Sequence, residues 1–125
     1  KAAAVADYKA KEFSNQKIKK SSGDLNLVLT RDRDILKSLG EKKTHQILVG
    51  FAAESENLLE NAKGKLQRKN LDYILANDIT AKDIGFASND NKVTIISKDG
   101  NLVPLEKMSK RSVARTLFDI IMEKR

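Results

Sequence analysis

Two hydrophobic periods alternate through the middle of this chain. Gln46-Ile47-Leu48-Val49-Gly50-Phe51 is nearly continuous apolar sequence, which suits a central parallel strand covered on both faces. Leu58, Leu59, Ala62 and Leu66 then follow the repeat of an amphipathic helix, with Ser55 as its expected cap. Asp72-Tyr73-Ile74-Leu75-Ala76 reads as a second short buried strand. The connection from residue 52 to 71 is long enough for a right-handed crossover, so the two strands are expected to be parallel neighbours. Polar residues gather where these strands stop, and ligands of open α/β sheets bind just beyond the carboxyl ends of the strands.

The flanks are read in the same way. Residues 1 to 6 are small and apolar and read as the end of a buried strand. Residues 9 to 24 are polar and lysine-rich, with Ser21-Ser22-Gly23-Asp24 as a turn cluster, and read as an exposed loop. Leu25-Asn26-Leu27-Val28-Leu29 alternates as a strand with one wetter face. Asp32 or Thr30 is the expected cap of a short helix through Leu39, with Gly40 as its stop signal. Residues 77 to 91 form a polar loop. Val93–Ser97 and Leu102–Leu105 flank Lys98-Asp99-Gly100-Asn101, a hairpin signal. Ser109 caps a final helix with Val113, Leu117, Ile120 and Ile121 on its apolar side. The fold class expected is α/β, a Rossmann-like three-layer domain with a mainly parallel sheet plus a C-terminal β-hairpin or arm.

Composition narrows the chemistry. With 125 residues, 40% apolar and 33% charged, the chain fits one globular domain able to bury a core. It has no cysteine, which removes disulfides, thiolate metal sites and a cysteine nucleophile, and is compatible with a reducing cytoplasm. No apolar run approaches the roughly 20 residues of a membrane span. The charge is +7, from 24 Lys and Arg against 17 Asp and Glu. That excess suits a polyanion, either nucleic acid or a nucleoside triphosphate. Four Phe and two Tyr are few for a single-strand stacking surface.

Candidate chemistry is dispersed. Lys17, Lys19 and Lys20 form either a solvated basic loop or a flexible cover that brings positive charge over phosphate. Lys65 and Lys69 share a helix face and either complement the helix dipole or bind phosphate. Asp7 follows a strand and is a loop cap, a magnesium contact or a sugar-hydroxyl acceptor. Phe51 is a core residue or a flat contact for a nucleobase. Asn77 and Asp78 are turn formers by type and site residues by position. His45 is alone, so there is no zinc set. No Gly-x-Ser-x-Gly elbow, Gly-x-Gly-x-x-Gly or Walker loop is present.

Ala3-Ala4-Val5-Ala6-Asp7-Tyr8, Lys17-Ile18-Lys19-Lys20, Val49-Gly50-Phe51-Ala52-Ala53-Glu54, Arg68-Lys69-Asn70-Leu71-Asp72, Ala76-Asn77-Asp78 and Gly85-Phe86-Ala87-Ser88-Asn89-Asp90-Asn91 together resemble, in order, bacterial phosphopantothenate–cysteine ligase. That is the synthetase half of a bifunctional decarboxylase/synthetase of coenzyme A biosynthesis, in the DNA/pantothenate metabolism flavoprotein family. The resemblance covers essentially the whole chain. It implies a cytoplasmic, homodimeric, CTP-dependent amide ligase. CTP and Mg2+ activate the carboxylate of 4'-phosphopantothenate as an acyl-cytidylate, and L-cysteine displaces CMP. FMN would belong only to a decarboxylase half outside this chain. No nucleic acid and no membrane partner are implied.

By the same resemblance Lys17 is the flap lysine of the activation step. Asp7, with Ala2, Ala3 and Ala4 beside it, belongs to the nucleotide site, Ala4 and Asn77 being candidates for substrate or intermediate contact and Asp7 for magnesium. Phe51, Lys65 and Lys69 match CTP contacts. Asp34 and Ile35 match a Pro-Asp-Ile segment in which Arg33 replaces the proline, and Lys9-Ala10 stands where Arg-Pro is common. The family's early glycine-rich segment and its Ser-Asn-x-Ser-Ser-Gly motif would precede Lys1. Residues 1–125 are therefore expected to be the C-terminal part of the ligase domain, without full activity alone. The rival expectations are a basic nucleic-acid-binding module and a domain used only for dimerisation.

Overall fold

The computed structural model describes residues 5–20, 22–79 and 90–124. The chain divides into two compact units, 1–35 and 36–125.

In the first unit, β1 (Tyr8–Ala10) pairs antiparallel with β2 (Leu29–Arg31). Lys11 N–H donates to Val28 O (2.8 Å) and Asp32 N–H to Asp7 O (2.9 Å), closing both ends of the ribbon. The strand expected at 25–29 is thus displaced to Leu29–Arg31. Its alternation does not mark burial, because both strands are exposed throughout. Thr30 lies inside β2 and α1 starts only at Ile35. Neither Thr30 nor Asp32 is therefore its cap, and the Asp32 carboxylate accepts instead from Lys9 Nζ (2.9 Å) and Arg33 N–H (2.8 Å).

The second unit contains α1 (Ile35–Lys42), β3 (Val49–Glu54), α2 (Leu58–Arg68), β4 (Tyr73–Asp78), β5 (Asp90–Asn91), β6 (Val93–Ser97), β7 (Leu102–Pro104), β8 (Met108–Ser109) and α3 (Lys110–Glu123). The main sheet has the order β3-β4-β6-β7. β3 and β4 are parallel, with Phe51 beside Leu75 and Ala53 beside Asn77. β4–β6 and β6–β7 are antiparallel, and β5 pairs with β8 apart from them. The α/β class holds, but this sheet is mixed rather than mainly parallel: among the described residues only the β3–α2–β4 connection carries a crossover helix. β6 enters antiparallel and β7 returns from it through a tight turn. That turn is the expected hairpin: Gly100 sits at φ 91° and its N–H donates to Ser97 O (3.0 Å).

Three layers follow from strand alternation. Ala52, Ile74, Ala76 and Ile96 face Ala62 and Leu66 of α2, with Leu36 of α1 packed against them. Tyr73, Leu75, Val93 and Ile95 face Val113 and Ile121 of α3, joined by Leu117 and Ile120. Leu59, expected in the helix's apolar face, is exposed.

Helix ends depart from expectation in two places. The residue capping α2 is Asn57, in the left-handed region at φ 47° and without a side-chain cap, so Ser55 is not the cap. Gly40 does not stop α1, which runs on to Lys42 with Gly40 buried inside it. A Cβ on Gly40 would lie 1.9 Å from Lys69 O, so this glycine is required by close approach of two backbones. The far side of that contact is the end of α2. Leu71 N–H donates to Leu66 O (2.9 Å) and Asn70 N–H to Gln67 O (3.1 Å), a Schellman closure with Asn70 left-handed at φ 49°. Asn70 Nδ2 then donates to Gly40 O (2.9 Å). Ser109 does cap α3, accepting from Ser112 N–H at 3.1 Å.

Candidate functional site

Both parallel strands extend further toward their carboxyl ends than the apolar run implies. β3 continues to Glu54 and β4 to Asp78, so Ala53 extends the strand that holds Phe51, and Asn77 and Asp78, turn formers by type, are strand residues. Odd-numbered positions of β3 and β4 face the α3 layer, as Val49, Tyr73 and Leu75 do. Phe51, Ala53 and Asn77 therefore share that face. Phe51 is 56% exposed and Ala53 is also exposed. Asn77, beside Ala53 in register, is only 8% exposed, and its Oδ1 is buried without a hydrogen-bond partner. An apolar ring and an unmet acceptor thus lie on neighbouring strands at the rim where α/β sheets take ligands.

The opposite face of the same rim carries charge. Glu54 Oε1 accepts from Lys65 Nζ at 2.5 Å, while Asn61 Nδ2 donates to Glu56 O (2.9 Å), just ahead of α2. Lys65 lies late on α2, whose C-terminal end returns to the amino edge of the sheet. Helical side chains lean toward the N-terminus, so the Lys65 ammonium is drawn back to the carboxyl end of β3. Lys69 is one turn further along, at the helix C-cap. Glu54 was not legible as a site residue, since only its last place in β3 and its spacing to Lys65 mark it.

The remaining candidates lie in the first unit or outside the described residues. Lys17, Lys19 and Lys20 are exposed, as is Asp7, whose carbonyl closes the β-ribbon. Hydrogen bonds from Lys9 and Arg33 hold the Asp32 carboxyl below the usual carboxylate range. Asp34 precedes α1 and Ile35 is its first residue. Ala2, Ala3 and Ala4, and the Gly85–Asn89 stretch, lie outside the described residues.

At the amino edge of the sheet a separate cavity of about 220 Å³ is lined by Ile47, Tyr73 and Ile121 together with Asp72, Asp99 and Lys124. Its carboxylates are already engaged. Asp72 accepts from Lys43 Nζ (2.7 Å), Lys98 Nζ (3.2 Å) and Leu48 N–H (2.8 Å). Burial pushes its carboxyl up, but these hydrogen bonds outweigh it and the net shift is downward. Asp99 is held down to about 2 by Lys124 and by the Ser97 hydroxyl. These pairs staple the β6–β7 turn to α3 and to the start of β4. Among the described residues no three metal-ligating side chains converge, and no helix is long and apolar enough to cross a membrane.

The chain is similar to known proteins along its whole length. The family model for the DNA/pantothenate metabolism flavoprotein C-terminal domain matches residues 1–124. The coenzyme A biosynthesis bifunctional protein CoaBC of Bacillus subtilis (strain 168) is 50% identical over 123 residues, 98% of this chain and 30% of that protein. The protein of the same name from Haemophilus influenzae is 40% identical over 122 residues, 97% of this chain and 29% of that protein. The chain thus spans under a third of these relatives' length. The crystal structure of the C-terminal domain of a CoaBC protein superposes with a TM-score of 0.72 at 37% identity, covering 98% of this chain and 53% of that one. With its three layers, its crossover pair and a match from end to end, this chain belongs to the DNA/pantothenate metabolism flavoprotein C-terminal domain family.

Proposed function

We propose that this chain is the C-terminal part of a CTP-dependent ligase of coenzyme A biosynthesis, joining 4'-phosphopantothenate to L-cysteine. The observation that carries the reading is the carboxyl rim of β3 and β4. There Phe51 offers an exposed ring, Asn77 a buried unmet acceptor, and Glu54 holds the Lys65 ammonium at the same strand end. A ring contact for a base on one face of the rim and a cation for phosphate on the other are what a nucleotide laid across the strand ends needs. Membership of the family and likeness to proteins named for coenzyme A biosynthesis support a place in that pathway.

In the activation step a carboxylate oxygen of 4'-phosphopantothenate attacks the α-phosphorus of CTP. The α–β phosphoanhydride bond breaks and pyrophosphate leaves. The cysteine amine then attacks the acyl carbon, loses a proton and expels CMP. Lys17 is assigned to neutralising charge that develops on phosphorus, a task suited to an exposed, strongly cationic side chain. Asp7 is assigned to the nucleotide's ribose or its metal. Asp7 would hold the magnesium that accompanies the triphosphate, and the ion would supply charge neutralisation at the phosphates. Homodimerisation is supported by the first unit, where Tyr8, Phe13, Ile18, Leu25 and Leu27 are exposed and Phe13 is 89% so. Such residues are normally covered by a partner. A fused decarboxylase domain is in keeping with relatives named bifunctional, and a cytoplasmic location is assigned as part of the same reading. The nucleic-acid reading is not favoured, because the similar proteins are named for coenzyme A biosynthesis.

Calorimetric titration of the full-length protein carrying this chain tests the reading. CTP is expected to bind and ATP to bind far more weakly. Lys17→Ala should slow acyl-cytidylate formation by about 100-fold or more with a smaller effect on CTP affinity. Equal affinity for CTP and ATP, or unchanged activation in Lys17→Ala, defeats the assignment.

A further inference from the structure

The unmet oxygen of Asn77 has a use that the reading of this rim as a cytidine nucleotide site does not itself supply. Buried polar atoms without partners are rare in folded proteins and each calls for an explanation. Asn77 is more than nine-tenths buried, yet its Oδ1 accepts nothing. It sits on β4 beside Ala53 and diagonally across from Phe51, on the face that Phe51 also occupies. Diagonal neighbours on adjacent strands are about 7–8 Å apart at Cα and within reach of ring-sized groups. A base lying on the Phe51 ring would carry its edge toward β4, where it meets an acceptor. At C4 of a pyrimidine, the group that answers an acceptor is the exocyclic amine of cytosine, since uracil presents an oxygen there.

We infer that Asn77 reads the nucleobase, its Oδ1 accepting a hydrogen bond from the cytosine N4 amino group while Phe51 holds the ring. The inference rests on the CTP reading. A site built around a hydrogen bond rejects the analogue that lacks it, because its buried polar group is then left unpaired. A side-chain amide can turn and offer its NH2 to uracil, so UTP alone is an ambiguous probe. The triphosphate of the 4-desamino pyrimidinone nucleoside, which has neither amine nor oxygen at that carbon, is the sharper one.

The experiment measures kcat/KM for pyrophosphate release by the full-length protein with CTP, UTP, ATP and the 4-desamino analogue, for wild type, Asn77→Ala and Asn77→Ser. Wild type is expected to prefer CTP over the desamino analogue by about tenfold or more. Asn77→Ala should bring that ratio close to one. Both numbers of each ratio come from the same protein, so a loss of folded material cancels, and Asn77→Ser supplies a smaller change at the same place. A wild-type enzyme that uses the desamino analogue as well as CTP overturns the inference without any variant. So does an Asn77→Ala enzyme that keeps the wild-type ratio, even if its overall rate falls. A wild-type enzyme that prefers ATP to CTP refutes the underlying nucleotide reading instead.

Discussion

Replacing Gly40 by alanine should destabilise the protein, although alanine is the better helix former. Gly40 is buried inside α1, and an alanine Cβ there would lie 1.9 Å from Lys69 O and 2.8 Å from Lys69 C. Both are backbone atoms, held by the Schellman closure of α2, so no rotamer change relieves the clash. α1 and the end of α2 would have to separate by roughly 1 Å in a close-packed interior. Overpacking of this kind costs about 1–3 kcal/mol, and misaligning the Asn70–Gly40 hydrogen bond adds about 1 kcal/mol. The helix propensity of alanine returns about 1 kcal/mol. The net loss is about 2 kcal/mol, or about 10 °C in Tm for a domain of this size. Gly64→Ala is the internal control. There the nearest atom is Arg68 Nη1 at 3.0 Å, the far end of a flexible side chain, so propensity dominates and the protein should gain about 0.5–1 kcal/mol. Urea unfolding of the 125-residue chain, followed by circular dichroism, reads both. A Gly40→Ala midpoint at or above wild type refutes the close-approach argument, and equal shifts for the two glycines refute the contrast between them.

Other expectations follow from particular contacts. Asp72→Asn leaves the nearly buried Lys43 ammonium without its carboxylate, at a cost of about 3 kcal/mol. Because the folded Asp72 pKa is lowered, the wild-type contribution is complete above the unfolded value of 3.8 and disappears as pH falls through the lower folded value. Urea midpoints measured between neutral and acid pH should therefore converge for wild type and Asp72→Asn, and parallel curves would contradict this. Carboxyl chemical shifts should place the Asp99 titration at about 2, returning toward the ordinary aspartate value in Lys124→Ala. Ser109→Ala removes the acceptor for Ser112 N–H and should cost about 1 kcal/mol in thermal unfolding. Phe51→Ala, at an exposed position, should shift the urea midpoint little while raising the KM for CTP severalfold; a large stability loss would mark Phe51 as a core residue.

The β3–α2–β4 unit was legible because each of its parts announces itself locally. A continuous apolar run, a helical repeat and a second short run are separated by a crossover's length of chain. The Asp99-Gly100 turn and the Ser109 cap were legible for the same reason, each set by residues within a few positions of one another. What tertiary structure decided were matters of partnership. Gly40 has the same composition whether it ends a helix or admits a neighbouring backbone, and only the arrival of Lys69 from the end of α2 chose the second. Ser55 and Asn57 are both good caps by type, and where the chain leaves β3 selected Asn57. Leu25–Leu29 alternates as a half-buried strand does, yet nothing in its own unit covers it. Glu54 and Lys65 are eleven residues apart and meet only because α2 runs back along β3 with its side chains leaning toward the carboxyl rim. Local periodicity records which face of an element is apolar. It carries no record of which distant backbone or charge will stand opposite, because that depends on how the elements pack.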